Sequence, residues 1–146
     1  MKKAWVNKLF INLGFLVIVI LVFILGLKYQ HHLQEEARMT YQIRPSLVFS
    51  VLFPIFFGML LGLLRWFELL RKTGEWRINW TKLIVFGLPS LYVSILPLIM
   101  WSGLSISYNA LPFGYLLLTS GTTHTVSGLI LGFLLLNVFE KGSKEG

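Results

Sequence analysis

LVFSVLFPIFFGMLLGLL, residues Leu47 to Leu64, runs for eighteen residues without a charge. A helix crossing the hydrocarbon core of a bilayer needs about 20 mainly apolar residues, and Arg44 and Pro45 before the run and Arg65 after it mark its ends. Three more runs of this kind lie along the chain. Leu9 to Leu27 is aliphatic and aromatic except at Asn12, Gly14 and Gly26. At roughly −0.5 kcal/mol per Leu, Ile, Phe or Val on an insertion scale, its transfer to lipid is favourable by several kcal/mol. Leu83 to Trp101 follows the candidate N-caps Asn79 and Thr81 and contains Pro89 and Pro97, where a lipid-buried helix bends while neighbours satisfy the freed carbonyls.

The fourth run ends at Phe139, and the hydroxyl-rich stretch Thr119 to Thr125 precedes its apolar part. One helix from Pro112, a suitable first helical residue, to Phe139 would be about 42 Å long, more than a core of about 30 Å requires. A broken or re-entrant start near Gly121 is therefore expected. The expected fold is an all-α membrane protein of four transmembrane helices, about residues 9–27, 47–64, 83–101 and 121–139, in one integral membrane domain over 1–146.

Composition agrees with a lipid environment. Hydrophobic residues make up 55% of the 146 and charged residues 13%, with 13 Lys and Arg against 6 acidic residues, all Glu, for a net charge of +7. A soluble domain carries about 25% charged residues. The chain has no cysteine, which excludes disulfides, thiolate metal sites and thiol nucleophiles.

Cations orient the spans, because cytoplasmic loops carry the excess of Lys and Arg. Ten stand on one side (Lys2, Lys3, Lys8, Arg65, Arg71, Lys72, Arg77, Lys82, Lys141, Lys144) and three on the other (Lys28, Arg38, Arg44). Both termini are expected in the cytoplasm of a bacterial cell, the protein lying multi-pass in its cytoplasmic membrane. The MKK start resembles a secretory signal, but Gly26-Leu27-Lys28-Tyr29-Gln30 lacks a small-x-small cleavage site, so the first span reads as an uncleaved anchor.

The connecting segments are unlike one another. The outer loop 28–46 has helical spacing at Leu33, Ala37 and Tyr41. It also sets His31 with Glu35 and His32 with Glu36 at i, i+4, a spacing that serves either helix support or a candidate metal pair. The cytoplasmic loop 65–82 mixes Trp66, Phe67, Trp76 and Trp80 with five cations, a composition that seats aromatics at headgroup level and cations on anionic lipid. Pinned between spans, it is too short for a nucleic-acid module. The third loop, from Ser102 to about Leu118, is uncharged and carries Tyr108 and Tyr115 beside Trp101, interfacial aromatics for a segment folded back at the bilayer edge.

Helices in lipid meet at small residues. Span two has Ser46, Ser50, Pro54, Gly58 and Gly62 at intervals of four, and span four has Gly121, Thr125, Gly128 and Gly132. Ser50, Gly58, Gly62, Gly128 and Gly132 are thus the expected packing positions, either within one chain or toward a second copy or a larger membrane partner. Span three adds Gly87, Ser90 and Ser94; span one lacks such a face and should lie at the periphery.

No span holds an Asp, Glu, Lys or Arg in its middle turns, which argues against a proton-coupled carboxylate mechanism. His124 is the one internal ionisable lead. With Ser120, Thr123 and Ser127 it forms a candidate substrate-binding patch, alternatively a helix cap at the outer interface. No oxyanion hole or orienting carboxylate accompanies it, and no cofactor is implied. The expected function is a non-enzymatic accessory or assembly subunit of a larger membrane complex, the alternative being a small oligomeric transporter or channel with a polar site at His124.

Overall fold

A computed structural model of the chain describes residues 2–103 and 110–142; Tyr108, Lys144 and the middle of the third loop lie outside the described residues. Helix α1 runs from Lys2 to Thr40, 39 residues or about 58 Å. The segment expected as a partly helical loop after Leu27 continues this helix unbroken. Lys28 to Thr40 has no Gly or Pro and is rich in Leu, Gln, Glu, Ala and Arg, so nothing in it stops propagation. Tyr41, at a left-handed φ of 57°, ends the helix.

Helix α2, Arg44–Arg71, starts with Pro45 in its first turn and contains Pro54. Strand β1, Glu75–Ile78, pairs antiparallel with β2, Phe139–Gly142, at the end of the described chain. This small sheet corrects the all-α expectation and moves Phe139 out of the fourth helix. The register explains the pairing. Trp76 and Ile78 share a face with Lys141 and Phe139, while Arg77 stands opposite Glu140, an opposite-charge pair on the other face. Four-residue strands separated by 60 residues of chain leave too short a pattern to read.

Helix α3, Trp80–Lys82, passes through a π turn at Leu83–Gly87 into α4, Leu88–Trp101, making one continuous stretch from Trp80 to Trp101. Asn79 caps it, its Oδ1 accepting from the Lys82 N–H at 3.1 Å. The wide turn comes just before Pro89, whose ring would clash with the carbonyl four residues back in a regular helix. After a left-handed Phe113 (φ 59°), α5 spans Gly114–Thr119; Pro112 lies before it rather than in its first turn. Extended Ser120 separates α5 from α6, Gly121–Asn137.

The fold is thus mostly helical. Helices α1 and α2 and the stretch Trp80–Trp101 are long and apolar enough to cross a membrane; α6, at 17 residues, is shorter. The tightest seam joins α2 to α6. A Cβ on Gly58 would land on the backbone of Leu129, one on Gly132 on the Ile55 carbonyl, and one on Gly128 would stand 2.8 Å from the Pro54 Cβ. Gly62 faces Leu136 across the same seam, and α4 closes the core with buried Ser90, Ser94, Leu96 and Pro97. Helix α1 packs chiefly on α2. Gly26 receives the Phe53 ring there, and Phe23, Tyr29, Phe49, Phe53 and Phe57 form a ladder with ring centroids 4.9 to 6.0 Å apart.

Candidate functional site: a polar cleft and a basic clasp at opposite ends of the bundle

His124 sits in the first turns of α6, half-buried, with Nδ1 3.0 Å from the Val93 carbonyl of α4. Pro97, four residues after Val93, has no N–H to give that carbonyl. A carbonyl only accepts, so Nδ1 donates, and in the neutral ring Nε2 is left as an acceptor. The histidine therefore pins the start of α6 to the proline-opened turn of α4.

Around it lies a cleft of about 390 Å³ lined by Gln30 and Gln34 of α1, Leu47 and Ser50 of α2, Pro97, Met100 and Trp101 of α4, and Gly121, His124 and Thr125 of α6. Among the described residues its polar side-chain groups are two amides, two hydroxyls, the imidazole and the Trp101 indole N–H, and no charged side chain lines it. The Ser50 hydroxyl donates to the Leu47 carbonyl at 2.8 Å and that of Thr125 to Gly121 at 3.3 Å, so both keep lone pairs to offer. Arg44 stands next door, lining a neighbouring cavity of about 290 Å³ that shares Leu47 and Trp101 with the cleft.

Of the four residues singled out at this patch, only His124 lines the cleft; Ser120, Thr123 and Ser127 do not. At 100° per residue Thr123 and Ser127 fall on one side of α6, while Gly121, His124, Thr125 and Gly128 fall on the side that meets α2 and α4; Ser120 is the extended residue before the helix. Ser50, singled out for packing, lines the cleft as well. The sequence signal for Gln30 and Gln34 is two uncharged amides at i, i+4 interleaved with the His/Glu pairs. Those pairs, His31–Glu35 at 3.6 Å and His32–Glu36 at 3.9 Å, lie exposed on α1. Among the described residues no third His, Asp or Glu joins them.

At the other end the sheet forms a clasp. The Lys82 ammonium pairs with the Glu140 carboxylate, to which the Asn79 Nδ2 also donates at 3.4 Å. Lys141 donates to the Lys72 carbonyl at 2.6 Å and lies 4.7 Å over the Trp76 ring. Trp66, Trp76 and Phe139 form a cluster beneath the sheet with centroids 5.3 to 6.4 Å apart. Loop 65–82 is thus a helix end and a strand folded onto the segment after α6, with Trp80 and Phe67 exposed.

The hydrogen bond from Lys82 holds the Glu140 carboxyl below its ordinary value of 4.5, helped by Asn79 and the Lys82 and Arg65 charges and opposed by desolvation. A carboxyl lowered on folding stabilises the clasp above the ordinary range, and that contribution is lost as pH falls through the folded value. The pair is half-exposed, so the effect is small. The amides of Arg77 and Glu140, which face each other across the ladder, should keep high protection factors, corrected for the intrinsic exchange rate, at neutral pH and lose protection in acid below the ordinary glutamate value, and Glu140→Gln should remove most of that acid sensitivity. Equal acid sensitivity in the two proteins would show that the ion pair does not hold the sheet.

Comparison of the chain with protein families, with curated proteins and with solved structures finds no match. What the chain is rests on its own architecture: a small polytopic bundle carrying three helices fit to cross a membrane.

Proposed function

We propose that the chain is a four-span protein of the bacterial cytoplasmic membrane, with both termini and the clasp on the cytoplasmic side, α6 as the fourth span, and the His124 cleft outside. We read it as a non-enzymatic accessory or assembly subunit of a larger membrane complex. One observation carries this reading: α1 is a long helix held along a single seam, with Val19 and Gly26 alone buried among its described side chains. The glycine stripes of α2 and α6 are spent on each other, so α1 is the flank left for a partner helix. Anionic headgroups are the proposed company of the exposed cations around the clasp.

A photo-crosslinking amino acid at Leu16 or Ile20, both exposed on α1, tests this in native membranes. A discrete adduct with another membrane protein is the expected result, and an adduct of twice the chain mass would make the partner a second copy. Lipid adducts alone at both positions would refute docking through α1. A second reading, a small oligomeric transporter with its polar site at His124, draws support from the cleft. It requires that His124→Ala abolish solute flux in liposomes while leaving assembly intact.

A further inference from the structure

We propose that the cleft beneath Trp101 binds the uncharged, hydroxyl-bearing headgroup of a membrane lipid, a sugar or a glycerol, with His124 Nε2 accepting from one of its hydroxyls. The inference takes from the proposed function only that the helices lie in a membrane.

Depth is the first support. The uncharged stretch of α1 ends at Leu27 and Lys28 follows, so Gln30 and Gln34 stand at headgroup level. The contacts of Tyr29 with Phe49 and of Gly26 with Phe53 set Ser50 of α2 level with Lys28 of α1. A cleft lined by Gln30, Gln34 and Ser50 therefore lies just outside the hydrocarbon.

Chemistry is the second. With no charged side chain among the described residues of its walls, the cleft offers an ion little to offset its desolvation. It does present an imidazole acceptor with its partner nitrogen already committed, two amides that both donate and accept, and two hydroxyls with free lone pairs. That is the complement of a ligand with several hydroxyls. Trp101, Met100 and Pro97 form an apolar wall suited to the C–H face of a sugar or glycerol, and about 390 Å³ lies at the small end of ligand-sized cavities. The acyl chains would leave along Val48 and Leu98 of the adjoining cavity.

The test uses the full chain, ¹⁵N-labelled at histidine, in phosphatidylcholine nanodiscs; the His124 Nε2 resonance is identified by its loss in His124→Gln. Monoglucosyl dioctanoylglycerol, dioctanoyl phosphatidylcholine and dioctanoyl phosphatidylglycerol are titrated separately. The glucosyl lipid should shift that resonance with a half-saturation at least about tenfold lower than phosphatidylcholine. Gln30→Leu with Gln34→Leu should weaken it by about tenfold, as each leaves a ligand hydroxyl unpaired, while Arg71→Gln, at the far end of α2, leaves it unchanged. If the double variant does not fold, exposed Gln34→Leu alone serves, with a smaller loss expected. Equal response to the three lipids, tighter binding of phosphatidylglycerol than of the glucosyl lipid, or indifference to the glutamine substitutions would overturn the proposal. Nanodiscs carry no sidedness, so a wrong topology leaves this result untouched and a negative result here leaves the topology untouched.

Discussion

Gly132→Leu is expected to remove most of the folded bundle, at a cost of about 3 kcal/mol, the upper end of the range for overpacking. A Cβ at this position lands on the Ile55 carbonyl, and backbone cannot rotate aside as a side chain does. Relief requires α2 and α6 to separate, which also undoes the contacts at Gly58 and Gly128. Gly14 is the control: nothing lies within 4 Å of a Cβ there, and Gly14→Leu should leave stability within about 0.5 kcal/mol. Unfolding curves in mixed detergent micelles read both. A Gly132→Leu protein as stable as the parent would mean that α2 and α6 do not meet as described. Gly62→Cys paired with Leu136→Cys checks the same seam without perturbing Gly132. Their Cβ positions fall 3.2 Å apart, close to the range for a disulfide, so the bond should close within one chain rather than between two.

His124→Phe should cost about 1–2 kcal/mol, because it strips the imidazole donor from a carbonyl that Pro97 has already deprived of its helical partner. The prediction becomes sharp in a cycle with Pro97→Ala. Alanine restores an N–H to the Val93 carbonyl, so in that background the loss of His124 should cost less than about 0.5 kcal/mol, a coupling of about 1 kcal/mol or more. Strictly additive costs would show that the histidine is not there to serve the proline. The same pairing bears on chemistry: a ring whose Nδ1 is committed to the backbone serves as an acceptor at Nε2, which suits binding better than proton transfer through both nitrogens.

The apolar runs were legible because membrane spans announce themselves over some 20 residues, and the glycine intervals of four were legible because helix faces repeat at that spacing. Neither signal says whether two stripes meet within one chain or between chains; that depends on how loops return the helices. The clasp was illegible for a related reason. Glu75–Ile78 is four residues long and finds its partner at Phe139–Gly142, where an apolar run ending in Phe139 reads as helix on composition alone. The cleft was half legible. The polar composition of Thr119 to Ser127 points to His124, but its hydroxyls are divided between the sides of α6 and the residues before it, and the amides that complete the cleft come from the end of α1, where the charged composition after Leu27 reads as a loop.

The topology proposed above puts the polar cleft on the outer side of the membrane and the basic clasp on the cytoplasmic side. Because the chain has no cysteine of its own, single substitutions report sidedness cleanly. A membrane-impermeant maleimide applied to intact cells should label Gln34→Cys, at the cleft, and leave Thr73→Cys, in the exposed turn between α2 and β1, unlabelled until the cells are opened. Labelling of Thr73→Cys but not of Gln34→Cys in intact cells would contradict the arrangement.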